Sequence, residues 1–315
     1  MPACISEPSN IILDKFQIRK SKKQKEAFRR WLCETLEREG YAPVVEKSKS
    51  LAASYNVVVG DPGKAKVILG AHYDTCAVMP VPNFMTPRNM LVYLIYQLLL
   101  VVLVFAVAAV PAVAAALLGV PEPAVLLIWY AALLLCLWWM MDGKANKHTV
   151  NDNTSGVITL LEVALALPQE QREQVCLVFF DNEEKGVLGS AAFVKIHKKE
   201  IAGTLMLNFD CVSDGDYIQF YPAKALKKDE PTLKRLEQAF SSTVDKTVEV
   251  VRSFGFYPSD QRSFPRGVGV CALKKKPVIG YYMDRIHTGR DTVLEQANLA
   301  LLRDGVLRLV NTIEK

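Results

Sequence analysis

Two long apolar runs interrupt the otherwise mixed pattern of polar and apolar positions along the chain. Residues 90–118 and 124–141 are almost entirely apolar, and across residues 89–141 the single charged side chain is Glu122. A helix needs about 20 apolar residues to cross the hydrocarbon core of a bilayer, and each run is about long enough, even if Pro111 kinks or ends the first helix. Residues 119–123, Gly-Val-Pro-Glu-Pro, are typical of a turn. The pattern therefore predicts a helical hairpin that crosses a membrane twice.

The alternative interpretation of these runs is a buried helical pair in a large soluble core. A helix at the surface of such a core usually keeps one polar face, whereas neither run has one. Tyr93, Tyr96, Trp138 and Trp139 lie towards the outer ends of the runs, where interfacial aromatic residues are common in membrane proteins. We therefore expect transmembrane helices.

Outside the hairpin, short apolar strands alternate with amphipathic helices. Strands are predicted at residues 44–47, 55–59, 66–69, 175–180, 204–209, 217–220, 247–252 and 268–273. Helices are predicted at residues 21–40, 155–167, 186–198, 231–241 and 291–313. This alternation predicts an α/β fold of three layers, with parallel central strands covered on both faces. Because the hairpin separates a strand from the next helix, we expect residues 1–88 and 142–315 to form a single domain into which residues 89–141 are inserted.

The charges beside the hairpin predict its orientation. Arg88 precedes it, Lys144 and Lys147 follow it, and its turn has no Lys or Arg. The positive-inside rule then places both chain ends, and with them the α/β domain, in the cytoplasm. Residues 1–10 lack the pattern of a secretory signal, and the seven cysteines show no disulfide or metal-type spacing, as expected of reduced thiols.

The chain is basic, with a net charge of +5 at pH 7. Residues 15–30 hold eight basic side chains and one acidic side chain, Glu26. A solvated helix face is the simplest explanation, and contact with the anionic lipid bilayer, worth ~1 kcal/mol per basic residue near the surface, is the second. No nucleic-acid partner is expected, because interleaved aromatic residues and binding motifs are missing. His197, within a run of lysines, is expected on an exposed helix face.

Histidines and carboxylates gather where predicted strands end and predicted helices begin. These segments are residues 70–75, 150–156, 181–186, 287–292 and Asp210. Ligands of open α/β sheets bind beyond the carboxyl ends of the strands. Chance surface acids would not explain Glu183 beside Glu184 directly after a buried strand, because adjacent carboxylates repel unless a cation or solvent separates them. Histidine with aspartate and glutamate is a ligand set for Zn²⁺, and also for Co²⁺ or Mn²⁺.

Five motifs in this order resemble those of the M28 family of zinc aminopeptidases. They are Gly-Ala-His72-Tyr-Asp74-Thr, Asn-Asp152-Asn-Thr-Ser-Gly, Asp-Asn-Glu183-Glu184-Lys-Gly, Leu-Asn-Phe-Asp210 and His287-Thr-x-x-Asp-Thr. The resemblance implies a zinc exopeptidase-like fold with a mixed, mostly parallel central sheet and two zinc ions per chain. The ligands that it implies are His72 and Asp210 for one zinc, Glu184 and His287 for the other, and Asp152 as the bridge. It also implies that Glu183 is the general base and that Asp74 hydrogen-bonds His72 and fixes its tautomer.

The sequence departs from the family pattern at two places. The hairpin separates His72 from Asp152 by 80 positions, so the two residues can meet only if the hairpin crosses the membrane an even number of times. Family aminopeptidases often have a tyrosine directly before the last histidine ligand, and this chain has Ile286 there. Tyr281 and Tyr282 are near in sequence, but nothing in the sequence shows that either replaces it.

The function that the resemblance implies is a membrane-anchored dizinc aminopeptidase that acts on short peptides. A glutaminyl-cyclase-like acyltransferase with one zinc shares the fold and is the first alternative. A carboxypeptidase or dipeptidase of the same fold, and a non-catalytic receptor-like member, are further alternatives. The expected partners are a peptide substrate and a lipid bilayer, and the sequence leaves the oligomeric state open.

Overall fold

The computed structural model describes residues 5–49 and 53–313, so Cys4 and the first part of segment 1–10 lie outside the described residues. The strands are β1 (Pro43–Ser48), β2 (Ser54–Val59), β3 (Val67–His72), β4 (Val175–Phe180), β5 (Leu205–Phe209), β6 (Tyr217–Pro222), β7 (Thr247–Val250), β8 (Gly267–Lys276) and β9 (Gly280–Tyr282). The helices are α1 (Glu7–Lys15), α2 (Lys22–Arg38), α3 (Met90–Leu117), α4 (Glu122–Asp142), α5 (Gly156–Ala166), α6 (Leu188–His197), α7 (Glu230–Ala239) and α8 (Gln296–Thr312).

One mixed sheet runs through the described part of the chain. Its strand order is β1-β2-β4-β3-β5-β8-β6-β7, and β9 pairs with β8. The central strands β4, β3, β5 and β8 are parallel, whereas β2 is antiparallel to β4 and β6 is antiparallel to β8. The prediction of parallel central strands is therefore confirmed, and the flanking strands make the sheet mixed.

Helices cover both faces of the sheet, because apolar residues point alternately to either side of each central strand. In β4, Leu177 and Phe179 pack into a core with α1, α2, α5, α7 and α8. Val178 and Phe180 of the same strand face the opposite way and pack with Phe193 of α6. The predicted three-layer α/β architecture is confirmed.

Helices α3 and α4 form a hairpin inserted between β3 and α5. Both are long and apolar enough to cross a membrane, as judged by length and composition. Helix α3 continues through Pro111, and the hairpin turns between Leu117 and Glu122. Side chains such as Leu98 and Leu117 are 63% and 83% exposed. Contiguous apolar surface of this kind marks contact with a membrane or another protein.

The base of α3 is fixed to the α/β domain by polar contacts. Arg88 forms an ion pair with Glu249 at 2.7 Å. The Asn89 side chain accepts a hydrogen bond from the Val92 backbone N–H at 3.2 Å and so caps the helix. Its amide also donates to two carbonyl groups just before β9 at 3.1 Å. These contacts hold the first turn of α3 against the sheet.

Three elements differ from the sequence prediction. The final helix begins at Gln296 rather than at residue 291. The carboxylate of Asp291 instead accepts backbone N–H groups of residues 151 and 152, and the residues between Asp291 and α8 are irregular. Helix α1 and strand β9 were not predicted. The short α1 depends on its Ser6 cap, and β9 depends on pairing with the long β8.

The prediction of an exposed His197 is wrong. Its ring lies between two carboxylates, with Nε2 at 2.8 Å from Glu46 and Nδ1 at 2.7 Å from Glu200, and its side chain is 14% exposed. These neighbours raise the pKa of His197, Glu200 first and then Glu46, although burial alone would lower it. The histidine thus joins α6 to β1 at the edge of the sheet.

Candidate active site

The carboxyl ends of β3, β4 and β5 meet at one edge of the sheet and bring the predicted site residues together. Strand β3 ends at His72, Glu183 and Glu184 follow β4, and Asp210 follows β5 directly. The three strands are parallel neighbours, with β3 between the other two. The site therefore occupies the position where α/β folds bind ligands.

Asp152 reaches this edge through an irregular buried segment, residues 150–155. The carboxylate of Asp291 accepts the backbone N–H groups of Asn151 at 2.7 Å and Asp152 at 3.0 Å. The Asn153 side chain donates to the carbonyl of Phe209, the last residue of β5, at 3.0 Å. These bonds support a helical segment that is interrupted at Asp152 and Asn153, and they hold Asp152 close to Asp210.

Gly156, the first residue of α5, is required by the same packing. A Cβ atom there would lie 2.2 Å from the backbone oxygen of Phe209 and 2.5 Å from the side-chain oxygen of Asn153. Both are fixed atoms of the site, so no other residue fits without moving the segment that carries Asp152.

The five predicted ligands form two clusters that share Asp152; the cluster of His72 and Asp210 is buried, and the cluster of Glu184 and His287 is partly buried. Nε2 of His72 lies 3.4 Å from Oδ1 of Asp152 and 3.5 Å from Oδ1 of Asp210. Nε2 of His287 lies 3.2 Å from Oδ2 of Asp152 and 3.4 Å from Oε2 of Glu184. The two oxygens of one carboxylate thus face different histidines.

These separations fit donors arranged around zinc. Two ligand atoms about 2.0–2.1 Å from a tetrahedral zinc lie about 3.3 Å apart, close to the nitrogen–oxygen distances of 3.2–3.5 Å found here. Oε1 of Glu184 is buried and has no hydrogen-bond partner among the described residues. A buried carboxylate oxygen without a partner is costly unless a cation meets it. The donor set therefore fits the metal that its chemistry indicates.

The pKa values of the ligands reflect crowded, buried charge. Burial is the largest effect on Glu184 and raises its pKa to about 8. Burial alone would lower the pKa of His287, but facing carboxylates, Glu184 first, raise it to about 9. His72 behaves similarly, and Glu183 is the charged neighbour that does most to raise its pKa well above the usual value. The edge thus holds an excess of carboxylates that a cation would neutralise.

Asp74 contacts the loop after β4 as well as the histidine. Nδ1 of His72 lies 3.1 Å from the backbone carbonyl of Asp74 and 3.6 Å from its carboxylate. The carboxylate instead accepts the backbone N–H groups of Glu183 at 3.0 Å and Glu184 at 3.2 Å. The histidine is therefore oriented by the main chain of Asp74, and the side chain of Asp74 holds the two glutamates in place.

Several residues of the site were not predicted. Cys76 is buried, and its Sγ lies within 4.8 Å of ligand atoms of Glu184 and His287. Asp260, in a short helical turn after β7, is fully buried, and among the described residues its carboxylate has no hydrogen-bond partner. Burial raises its pKa to about 7. No sequence signal marks Asp260, because no strand end or histidine lies beside it.

The position before His287 holds a packed apolar side chain. Ile286 is 4% exposed and belongs to a small hydrophobic cluster under β8. Tyr281 packs against Tyr217, and Tyr282 packs against Phe84. The hydroxyl of a further tyrosine in that cluster, Tyr257, donates to the backbone carbonyl of Asp210 at 3.0 Å, so this side chain supports the ligand from behind.

The family model described as Peptidase family M28 matches residues 141–309, which is more than half of the chain. The chain belongs to peptidase family M28, and the resemblance drawn from its motifs is confirmed. Membership of this family supports zinc-dependent peptide hydrolysis. The match begins at the end of the hairpin, so His72 and Asp74 precede the matched range. No curated protein sequence matches the chain.

Solved structures share the fold at low sequence identity. The glutaminyl cyclase of Porphyromonas gingivalis gives a TM-score of 0.62 at 16% identity and covers 98% of each chain. A leucine aminopeptidase precursor from Bacteroides thetaiotaomicron gives 0.60 at 15% identity, covering 100% of this chain and 99% of its own. The LapA aminopeptidase of Legionella pneumophila gives 0.58 at 13% identity, with 98% and 69% covered. The zinc exopeptidase-like fold is thus confirmed.

Proposed function

We propose that this protein is a membrane-anchored dizinc aminopeptidase that releases N-terminal residues from short peptides. The observation that carries the proposal is the pair of donor clusters on either side of Asp152, whose two oxygens face His72 and His287. A carboxylate placed in this way suits a bridge between two metal ions about 3.5–4 Å apart. Membership of family M28 supports peptide-bond hydrolysis.

In this proposal, each residue of the site has one task. The ligands are His72 and Asp210 for one zinc, Glu184 and His287 for the other, and Asp152 between them. Bound zinc would supply Lewis acidity to the peptide carbonyl and lower the pKa of a water molecule at the site.

Glu183 is the proposed general base. It precedes the ligand Glu184 directly and carries its own buried carboxylate, which can accept a proton from the attacking water and deliver it to the leaving amine. Asp74 positions Glu183 through the backbone hydrogen bond at 3.0 Å. Its carbonyl, 3.1 Å from Nδ1 of His72, favours the tautomer in which Nε2 is free to bind metal.

The second donor cluster favours a dizinc peptidase over a one-zinc cyclase. A one-zinc enzyme needs only one of the two clusters, yet a histidine of each cluster, His72 and His287, faces its own oxygen of Asp152. A receptor-like role is disfavoured because every ligand position and the base position is filled. Carboxypeptidase and dipeptidase activities are outcomes that the following experiment separates.

The purified protein in detergent should cleave aminoacyl reporters, but not N-blocked or carboxy-terminal reporters, and a chelator should abolish cleavage. Metal analysis should give two zinc ions per chain. Cyclisation of N-terminal glutamine with one zinc bound would support the cyclase instead. Cleavage that persists without metal would contradict the metallopeptidase proposal.

Replacement of the proposed base provides a second test. Glu183→Gln should retain zinc and lose nearly all hydrolysis, because the amide cannot accept the proton. Glu170→Gln, on an exposed turn before β4, is the matched control and should retain full activity. Wild-type turnover in Glu183→Gln would refute the assignment.

We further propose that residues 1–88 and 142–315 form one cytoplasmic domain anchored by the hairpin 89–141. Lys20 donates to the backbone carbonyl of Met141 at 2.6 Å, and Lys185 pairs with Asp142 at 3.1 Å. A cleft of about 340 Å³ beside these contacts is lined by the basic residues Lys20, Lys22, Arg29 and Lys185, together with Glu26 and the buried ion pair of Lys25 with Asp181. Basic groups where an apolar helix ends suit anionic headgroups on the cytoplasmic leaflet.

Protease accessibility tests the orientation. Protease added to intact cells should leave the α/β domain uncut, and protease added to inverted membrane vesicles should degrade it. Degradation from the outside of intact cells alone would overturn the cytoplasmic placement.

A further inference from the structure

A second cavity opens directly beside the proposed metal ligands. It has a volume of about 220 Å³, and Glu184 and His287 form part of its wall. The rest of the wall is mainly apolar, with Asn83 as its polar member, and consists of Cys76, Ala77, Met79, Val81, Pro82, Asn83, Leu100, Met140 and Met141. An apolar cavity of about 150 Å³ holds a benzene ring, so this space can take a large aliphatic or aromatic side chain.

The wall has two sources, a loop of the α/β domain and the inserted hairpin. The loop is held at the site, because the Met79 backbone N–H donates to the carbonyl of His287 at 2.7 Å. It is also held by the hairpin, because the hydroxyl of Tyr96 in α3 donates to the carbonyl of Pro82 at 2.6 Å. Leu100 belongs to α3, and Met140 belongs to α4. Both hairpin helices therefore shape the cavity next to the ligands.

The hairpin wall of the cavity lies far from the turn of the hairpin. At 1.5 Å per residue, Leu100 lies about 26 Å from the tip end of α3 and Met140 about 27 Å from the tip end of α4. The two side chains are therefore at the same height, close to the ~30 Å thickness of a bilayer's hydrocarbon core. Residues of α3 before Leu100 lie on the domain side of this height, where Tyr93 packs on Phe256 and Leu91 and Leu94 stay exposed.

From these observations we propose that the hairpin-walled cavity receives the apolar side chain of a substrate's N-terminal residue. The inference rests on the proposed aminopeptidase function and deepens it. A side chain in the cavity leaves its own α-amino group and carbonyl next to Glu184 and His287, where hydrolysis is proposed. The substrate class is thus peptides that begin with a large apolar residue, and the anchor is itself part of the specificity pocket.

The test fills the cavity from the hairpin side. Leu100→Trp should lower kcat/KM at least tenfold more for leucyl and phenylalanyl reporters than for alanyl reporters, because even one methylene group in an apolar pocket is worth about 10–200-fold. Leu99→Trp is the matched control, since Leu99 is 61% exposed on the outer side of the same helix, and its substrate profile should be unchanged. Zinc content and thermal unfolding should be equal in all three proteins.

Two further results keep the inference falsifiable. If Leu100→Trp does not fold, Leu100→Ala enlarges the same cavity and should shift the preference from leucyl towards phenylalanyl reporters. A substrate profile of folded Leu100→Trp or Leu100→Ala that equals the wild-type profile would overturn the pocket and leave the aminopeptidase proposal intact. Failure of the unaltered protein to cleave any aminoacyl reporter would instead refute the aminopeptidase proposal itself.

Discussion

Replacement of Asp74 by asparagine tests whether its carboxylate, rather than its proximity to His72, organises the site. The carboxylate accepts two backbone hydrogen bonds, from Glu183 at 3.0 Å and from Glu184 at 3.2 Å. Asparagine keeps the shape and the backbone carbonyl at Nδ1 of His72, but only one of its side-chain atoms is an acceptor. One of the two N–H groups would then face an amide NH₂ group.

The expected size of the effect follows from these two bonds. A hydrogen bond to a charged group contributes about 1.5–3 kcal/mol, and a buried donor left without a partner costs about 1–3 kcal/mol. Part of this loss would be relieved by movement of the loop that carries Glu183 and Glu184. We therefore expect Asp74→Asn to lower zinc affinity or kcat by about 10–100-fold, the usual range for groups that support metal ligands.

The assay measures zinc affinity by chelator competition, and kcat at saturating zinc, on the same preparations. Asp61→Asn is the matched control, because Asp61 also accepts a backbone N–H, at 2.8 Å, but lies at an exposed turn before β3, at the opposite end of that strand from His72. Asp74→Asn with zinc affinity and kcat both within twofold of the wild type would refute the positioning role.

Three other predictions address the scaffold and the metal. Gly156→Ala should lower stability and zinc affinity together, because the added Cβ would lie 2.2 Å from the last carbonyl of β5; a variant with wild-type zinc affinity would contradict the packing argument. His197→Gln should cost about 0.5–1 kcal/mol in the free energy of unfolding at pH 6. The pKa of His197 is raised in the folded state, so the stability that the charged histidine contributes is full below the unfolded pKa and is lost as pH rises through the folded pKa. Denaturant unfolding should therefore show a less stable variant at pH 6 and equal stabilities of variant and wild type at pH 9. Equal losses of stability at both pH values would exclude a contribution from the charged histidine. Removal of zinc should lower the thermal unfolding temperature, because crowded carboxylates such as Glu184 lose the cation that separates them, and calorimetry with and without chelator measures this shift.

The local sequence pattern alone predicted those elements whose structure depends mainly on their own residues. The apolar run at β4 was predicted with its observed bounds, because a strand buried on both faces is apolar throughout. The order of the motifs predicted the family, which the family match confirms. The parallel centre of the sheet also followed from the alternation of strands and helices. The ligand roles of His72, Asp152 and their partners stay predictions, although the structure brings all five side chains together.

Other features depended on contacts between distant parts of the chain. Residues 291–295 were predicted as helix, but Asp291 is needed as an acceptor for the segment of Asp152, some 140 positions away. His197 was predicted to be exposed, but Glu46 of β1 covers it. Neither interaction has a sequence signal, because each joins residues that are neighbours only after the sheet has formed.

The sequence by itself determined the α/β architecture, the apolar hairpin and the set of histidines and carboxylates, since these depend on periodicity, length and residue type. Only the tertiary structure decided how the hairpin and the metal site are related. Strand β3 delivers His72 to the sheet edge, and the chain then leaves through α3 and returns through α4 to Asp152. Because both helix bases must lie at that edge, Leu100 and Met140 come to wall the cavity beside His287, and no linear pattern contains that geometry.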